Sequence, residues 1–252
     1  MAVSLPLAFG WGHLLFANWP IDADRLDSHL PDALSVQTYD GVGWLTVVPF
    51  VNVDTRPRGL PAWTAFDVPE LNLRTYVTHE GEPGVYFFSL DARSVATVLS
   101  ARLFHRLPYY YARMDWRWTG ERVEFASRRF HPGDRPARFE ATYGPAGDPF
   151  TPEPGSRAAF LTERRRLYTQ GTDGTVRHTD IDHEPWTLHP ATTSIAENTL
   201  LEASGFDRPN VDPVCYYSPG LDVVTARSKR RGRSDGVLGR VAAARDRIGT
   251  RR

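Results

Sequence analysis

Polar and apolar residues alternate most plainly over Glu70–Val77. Glu70, Asn72 and Arg74 fall on one side of an extended chain there, and Leu71, Leu73, Thr75 and Val77 on the other. Stretches of strand character are predicted at 9–19, 34–39, 44–51, 70–79, 85–90, 114–118, 122–130, 165–170, 175–182 and 214–224. Asp40-Gly41 is read as the turn of a hairpin joining 34–39 to 44–51, Gly81–Gly84 as the next turn, and Thr119-Gly120 as a third. Helical spacing is confined to short pieces. One covers 22–34 and is broken by Pro31. A second, 92–106, is capped by Asp91, carries Val95, Val98, Leu99 and Leu103 on one face, and stops at Pro108. A third starts at Ser156, and a fourth ends at Gly205 behind a Ser194/Glu197 capping box. Segments 54–69 and 144–155 read as loops. Many strands, few helices and no regular βαβ alternation predict a β-dominated α+β fold with mainly antiparallel pairing.

Charge divides the 252 residues unevenly. Ten basic and two acidic residues lie between Arg227 and Arg252, a net of +8, which leaves 20 basic and 28 acidic residues, a net of −8, in the first 226. We therefore expect one domain over 1–226 and a basic, disordered tail over 227–252. The tail supports at most non-specific attraction to polyanions, with no sequence-specific nucleic-acid reading. No apolar run approaches the roughly 18 residues of a membrane span, and no signal peptide is recognisable, so a cytoplasmic location is the simplest expectation. Cys215 is the single cysteine, which rules out an intrachain disulfide and a cysteine-rich zinc site. Lys229 is the single lysine and lies in the tail, which removes lysine Schiff-base chemistry from the body of the chain. Dinucleotide loops, phosphate loops and nucleophile elbows are absent, so no cofactor is implied.

Several segments, in order, carry a family resemblance. They include Trp19-Pro20, Gly43-Trp44, Glu70-Leu71-Asn72-Leu73-Arg74-Thr75-Tyr76-Val77, Gly84–Ala92, Leu107-Pro108-Tyr109-Tyr110, Phe160–Arg164 and Pro185-Trp186. Together they resemble the uncharacterised YqjF-like family over about residues 11 to 225, with Asn18 standing where the resemblance leads us to expect a histidine. That family is in turn similar to the acetoacetate decarboxylase superfamily. The resemblance implies a closed, cone-shaped β-barrel with a few peripheral helices and a central pocket for a small organic molecule. Decarboxylases of that type use paired lysines after a proline. The nearest match here is Pro108-Tyr109-Tyr110, and a phenol cannot form an imine.

On that basis Glu70, Arg74 and Tyr109 are the candidate catalytic residues. Glu70 would act as acid or base, and Arg74 or Tyr109 would steady developing negative charge. Asn72, Arg102, Tyr110 and His183 are candidate ligand-binding residues. Glu70, Asn72 and Arg74 are expected to face the barrel interior, with Glu70 and Arg74 interacting directly or through water. Arg102 falls on the apolar stripe of its helix and reads more readily as a structural bridge to Asp91 or Glu70. His178, Asp180, Asp182, His183, Glu184 and His189 contain metal-ligating types, but a solvated strand face explains them better, and no metal is assigned. Two functions remain open: an enzyme on a small oxo-acid or related metabolite, or a non-catalytic binding or sensing module using the same pocket. A homo-oligomer is also left open.

Overall fold

Strand β4, Phe66–His79, is buried on both faces from Glu70 to Val77 apart from Arg74, which is half-buried. A sheet strand covered on both sides must have one layer in front of it and another behind. The computed structural model, which describes residues 7–57, 59–94, 108–130, 134–170, 174–222 and 224–225, shows both layers.

The front layer is a closed barrel. The remaining strands are β1 Leu7–Ile21, β2 Ser35–Val36, β3 Gly43–Pro57, β5 Glu82–Ala92, β6 Tyr109–Trp118, β7 Val123–Arg129 and β8 Arg138–Pro145, followed by β9 Arg166–Gln170, β10 Val176–Asp182, β11 His189–Asn198, β12 Val214–Asp222 and β13 Val224–Thr225. Nine of these, in the order β1-β3-β4-β5-β6-β7-β8-β11-β12, close a ring as β12 pairs back onto β1. All joints are antiparallel except β5–β6, which is parallel and makes the barrel mixed. Among the described residues three short α-helices accompany it: α1 Ala23–Asp27, α2 Arg157–Thr162 and α3 Leu200–Ala203. The barrel interior is packed mostly with apolar side chains, although buried Asp91, opposite Leu71 of β4, shares that face. Leu15 and Ala17 of β1, Leu71 and Leu73 of β4, Met114 of β6 and Phe125 of β7 belong to one cluster. Tyr143 of β8 spans the lumen, its hydroxyl donating to the His13 carbonyl at 2.9 Å.

The back layer grows from the second edge of β5. That edge pairs with β6 near its C-terminal end and, through Val85 and Tyr86, in parallel with β9. The β9–β10 ribbon, α2 and the segment 183–188 then fold over the outer face of β1, β3, β4 and β5. Leu14, Phe16, Val48, Phe50, Ala158, Trp186 and Leu188 form a second cluster in this layer. Gly84 permits the junction: a Cβ there would lie 2.6 Å from the Tyr168 ring and 2.9 Å from the Arg166 carbonyl oxygen.

Several local expectations are corrected. The Asp40-Gly41 turn exists, both residues having positive φ as a type I′ turn requires, but it closes only a Tyr39–Val42 bridge. Residues 34–39 reduce to β2, which pairs with β4 rather than β3. The next turn is Glu80-Gly81, one position earlier than read, also with two positive φ angles. Half of 54–69 is strand, as β3 extends to Pro57 and β4 starts at Phe66. Asp91 is not a helix cap but a buried member of β5, and residues 95–106 of the expected helix lie outside the described residues. Ser194 and Glu197 belong to β11; the helix after it, α3, begins at Leu200. Strand β11 was missed because its alternating pattern of half-buried and exposed positions includes a Ser-x-x-Glu spacing that mimics a cap.

Candidate functional site

The alternation in β4 is real, but the lumen takes the other side. Leu71 and Leu73 point into the filled barrel, so Glu70, Asn72 and Arg74 face outward, into the back layer, and the expectation that they face the barrel interior is corrected. Period-two alternation separates two faces without saying which one a closed sheet encloses. Asn72 and Arg74 line a cavity of about 60 Å³ between the wall and the back layer, with Phe16, Val48, Phe87 and Trp186 among its apolar sides. That is room for roughly four to six atoms of water size. Arg164 and Arg166 line it too, and none of its described lining residues is acidic.

Glu70 sits beside this cavity rather than in its lining. Tyr109 donates its phenol hydrogen to Glu70 Oε1 at 3.0 Å, and Asn52 Nδ2 donates to Oε2 at 3.2 Å. No described cation pairs with the Glu70 carboxyl. Burial pushes its pKa up to about 7, against the opposing pull of hydrogen bonds from Tyr109, Asn52 and Asn72. Burial, reinforced by the Glu70 charge, raises the Tyr109 phenol well above its ordinary range. At neutral pH this pair therefore holds a carboxyl near its titration point and a phenol that donates but does not ionise.

The expected Glu70–Arg74 contact is absent. Residues four apart on an extended strand are separated by about 13 Å, and the guanidinium turns toward α2 instead. Arg74 Nη2 donates to the Leu161 carbonyl at 3.1 Å, and its Nε is buried without a partner. Tyr76, on the same face of β4, donates to the same carbonyl at 2.6 Å. Asn72 Oδ1 is likewise buried and unpartnered.

The other candidates divide. Tyr110, one residue after Tyr109, looks to the opposite face, where its ring lies 4.2 Å from the Arg129 guanidinium carbon. Arg129 is the buried partner of Asp91: its Nε donates to Asp91 Oδ1 at 2.9 Å, and its Nη2 lies 2.7 Å from that oxygen. The bridge to Asp91 expected of Arg102 is thus made by Arg129, while Arg102 itself lies outside the described residues. His183 is buried as anticipated, its ring centroid 5.2 Å from that of Trp186 and 6.2 Å from that of Trp11. Its Nδ1 is 2.7 Å from the Glu184 carbonyl, which fixes the proton there, and Nε2 has no partner. It backs two tryptophans that line the cavity without reaching the cavity itself. Asp180 and Asp182 are engaged by Arg166 and Arg165 at 2.7 and 2.8 Å. Among the described residues no group of three histidine, cysteine or acidic side chains is placed to hold a metal ion.

Sequence reasoning overlooked Arg164. In Glu163-Arg164-Arg165-Arg166 it looks like one charge in a solvated run. The end of α2 turns it inward, where its Nε donates to the Phe160 carbonyl at 2.8 Å and its Nη1 to Gln37 Oε1 at 2.7 Å. Burial lowers its pKa to about 10.

Comparison with known proteins agrees with this architecture. Acetoacetate decarboxylase from Legionella pneumophila superposes with a TM-score of 0.55 at 14% identity, covering 88% of each chain. The enduracididine biosynthesis enzyme MppR, solved with pyruvate, superposes at 0.62 with 12% identity, covering 90% of this chain and 91% of that one. At these identities the likeness establishes the fold alone. In sequence the chain is 43% identical over 215 residues to the uncharacterized protein YqjF of Bacillus subtilis (strain 168), covering 85% of this chain and 88% of that one. A family model described as an uncharacterized conserved protein, DUF2071, matches residues 8–222. The chain therefore belongs to the DUF2071 family, on an acetoacetate decarboxylase-like barrel.

Proposed function

We propose that this protein binds a small organic acid of the oxo-acid class in the cavity between the barrel wall and its back layer. The observation that carries the reading is Arg74: a guanidinium with a buried, unpartnered Nε, on the wall of a cavity whose described lining holds three arginines and no acidic residue. A carboxylate there gains charge-assisted hydrogen bonds in a site largely cleared of water. The cavity size suits a ligand of a few heavy atoms. MppR, which shares the fold, is solved with pyruvate, a molecule of this size and charge. No lysine lies among the described residues, so none of them can hold the ligand as a lysine imine.

A second reading, a proton-transfer enzyme, is favoured by one observation: Glu70 has a pKa near 7 and lies two strand positions from Asn72. Against it stands the position of Glu70 and Tyr109 beside the cavity, engaged with each other. Incubation with pyruvate in heavy water separates the two. Binding alone leaves the methyl protons exchanging at the blank rate while melting temperature rises. Exchange accelerated by the parent and abolished by Glu70→Gln shows proton transfer. Borohydride added to the same mixture should leave no stoichiometric adduct within residues 1–225.

A further inference from the structure

Arg74 and Arg164 share more than a cavity. Their guanidinium carbons lie 5.9 and 4.9 Å from the centroid of one ring, that of Tyr76, so two cations from different elements are held against a single side chain. Each is tied to the C-terminal end of α2 through a carbonyl, Leu161 for Arg74 and Phe160 for Arg164. Among the described residues neither has a carboxylate within ion-pair distance, whereas the third arginine of the cavity, Arg166, is neutralised by Asp180 at 2.7 Å and Glu82 at 3.5 Å. Helix capping accounts for part of this arrangement. A helix end supplies about half a unit of negative charge spread over several carbonyls, which is not a counter-ion for two full charges. The proximity of Arg74 also acts with burial to lower the pKa of Arg164, so the two repel each other across the site. After these bonds Arg74 keeps Nε and Nη1 to donate, and Arg164 keeps Nη2. Half-buried cations without counter-ions are partly desolvated at a cost, and the cavity that both line is where a counter-ion fits.

We infer that the ligand of this site is a dianion: a short dicarboxylate, or an acid whose second oxygen is anionic, bridging Arg74 and Arg164. The inference rests on the organic-acid reading above and sharpens it. One negative charge balances Arg74 and leaves Arg164 uncompensated; two balance both. Arg164 is then the residue that determines charge specificity, and Arg74 the one that admits any carboxylate.

Titration calorimetry with pyruvate, oxalate and malonate tests this on the full chain. The parent should bind oxalate or malonate at least tenfold more tightly than pyruvate, and Arg164→Met should bring the three affinities together. Because Arg164→Met also removes a cap from α2, Gln37→Glu provides a second variant. It sets a carboxylate 2.7 Å from Arg164 Nη1 in nearly the same shape, and should raise the melting temperature while abolishing the dianion preference. Pyruvate binding that depends on Arg74, with no dianion preference or with a preference untouched by both Arg164→Met and Gln37→Glu, overturns the inference and leaves the organic-acid reading standing. No binding of any of the three overturns both.

Discussion

Tyr109 and Glu70 come from strands that are not neighbours in the barrel order, yet the phenol hydrogen of one rests 3.0 Å from the carboxyl of the other. The parallel joint between β5 and β6 makes this possible, because it sets Tyr109 opposite Leu90, whose partner on β4 is Asn72. A buried carboxyl without a cation survives there because its donors are neutral.

Replacing Tyr109 with Phe removes the strongest of those donors. Ionised Glu70 then loses a charge-assisted hydrogen bond worth about 1.5–3 kcal/mol, whereas the protonated form loses less. Urea unfolding should show the larger loss at pH 8 and a smaller one at pH 5. Equal losses at both would mean that Glu70 does not titrate between them.

Glu70→Gln should have the opposite sign. The folded-state pKa, about 7, lies above the ordinary value of 4.5, so the folded protein binds more protons between those limits and loses stability as pH rises through them. Above pH 7 the penalty is complete, at about 3 kcal/mol for a shift of this size. The Gln variant should therefore gain on the parent between pH 5 and 8 and hold a constant margin beyond. A margin that does not change with pH would contradict the buried, unpaired carboxyl.

The Asp91–Arg129 pair is expected to behave as a buried bridge, since both side chains are almost fully enclosed. Arg129→Met alone should cost about 3–5 kcal/mol by leaving Asp91 buried without its partner, and adding Asp91→Leu should recover much of the loss. Additive losses in the double variant would show that packing, rather than charge, dominates there.

Much of this was legible in the residues. The β-rich fold follows from repeated alternation punctuated by turn glycines, and the grouping of Glu70, Asn72 and Arg74 on one face follows from strand geometry. What stayed hidden depended on long-range closure. Nothing local to Leu71 or Asn72 says which of them the ring encloses, because both faces of β4 are covered. Arg129 could not be matched to Asp91 from sequence, since the two lie 38 positions apart and meet only when β6 and β7 close the ring beside β5. Arg164 was hidden by its neighbours: three successive arginines look alike until the end of α2 turns the first of them inward.

Gly84→Ala should disturb the site through the Arg166 backbone, without replacing any side chain that lines it. The new methyl meets the Tyr168 ring and the Arg166 carbonyl below contact distance, so β9 must shift away from β5. Large-to-small changes are not at issue here; overpacking of this kind costs about 1–3 kcal/mol. Melting temperature and pyruvate affinity should fall together. A fall in stability with affinity intact would separate the back layer from ligand binding.

The most direct test of the central claim is the dissociation constant of pyruvate for the parent and for Arg74→Met, measured by titration calorimetry at pH 7. We expect a parent value at or below about 1 mM, equivalent to about 4 kcal/mol, and at least a tenfold weakening in the variant. No measurable heat with the parent, or a variant that binds as tightly as the parent, would contradict a carboxylate site at Arg74.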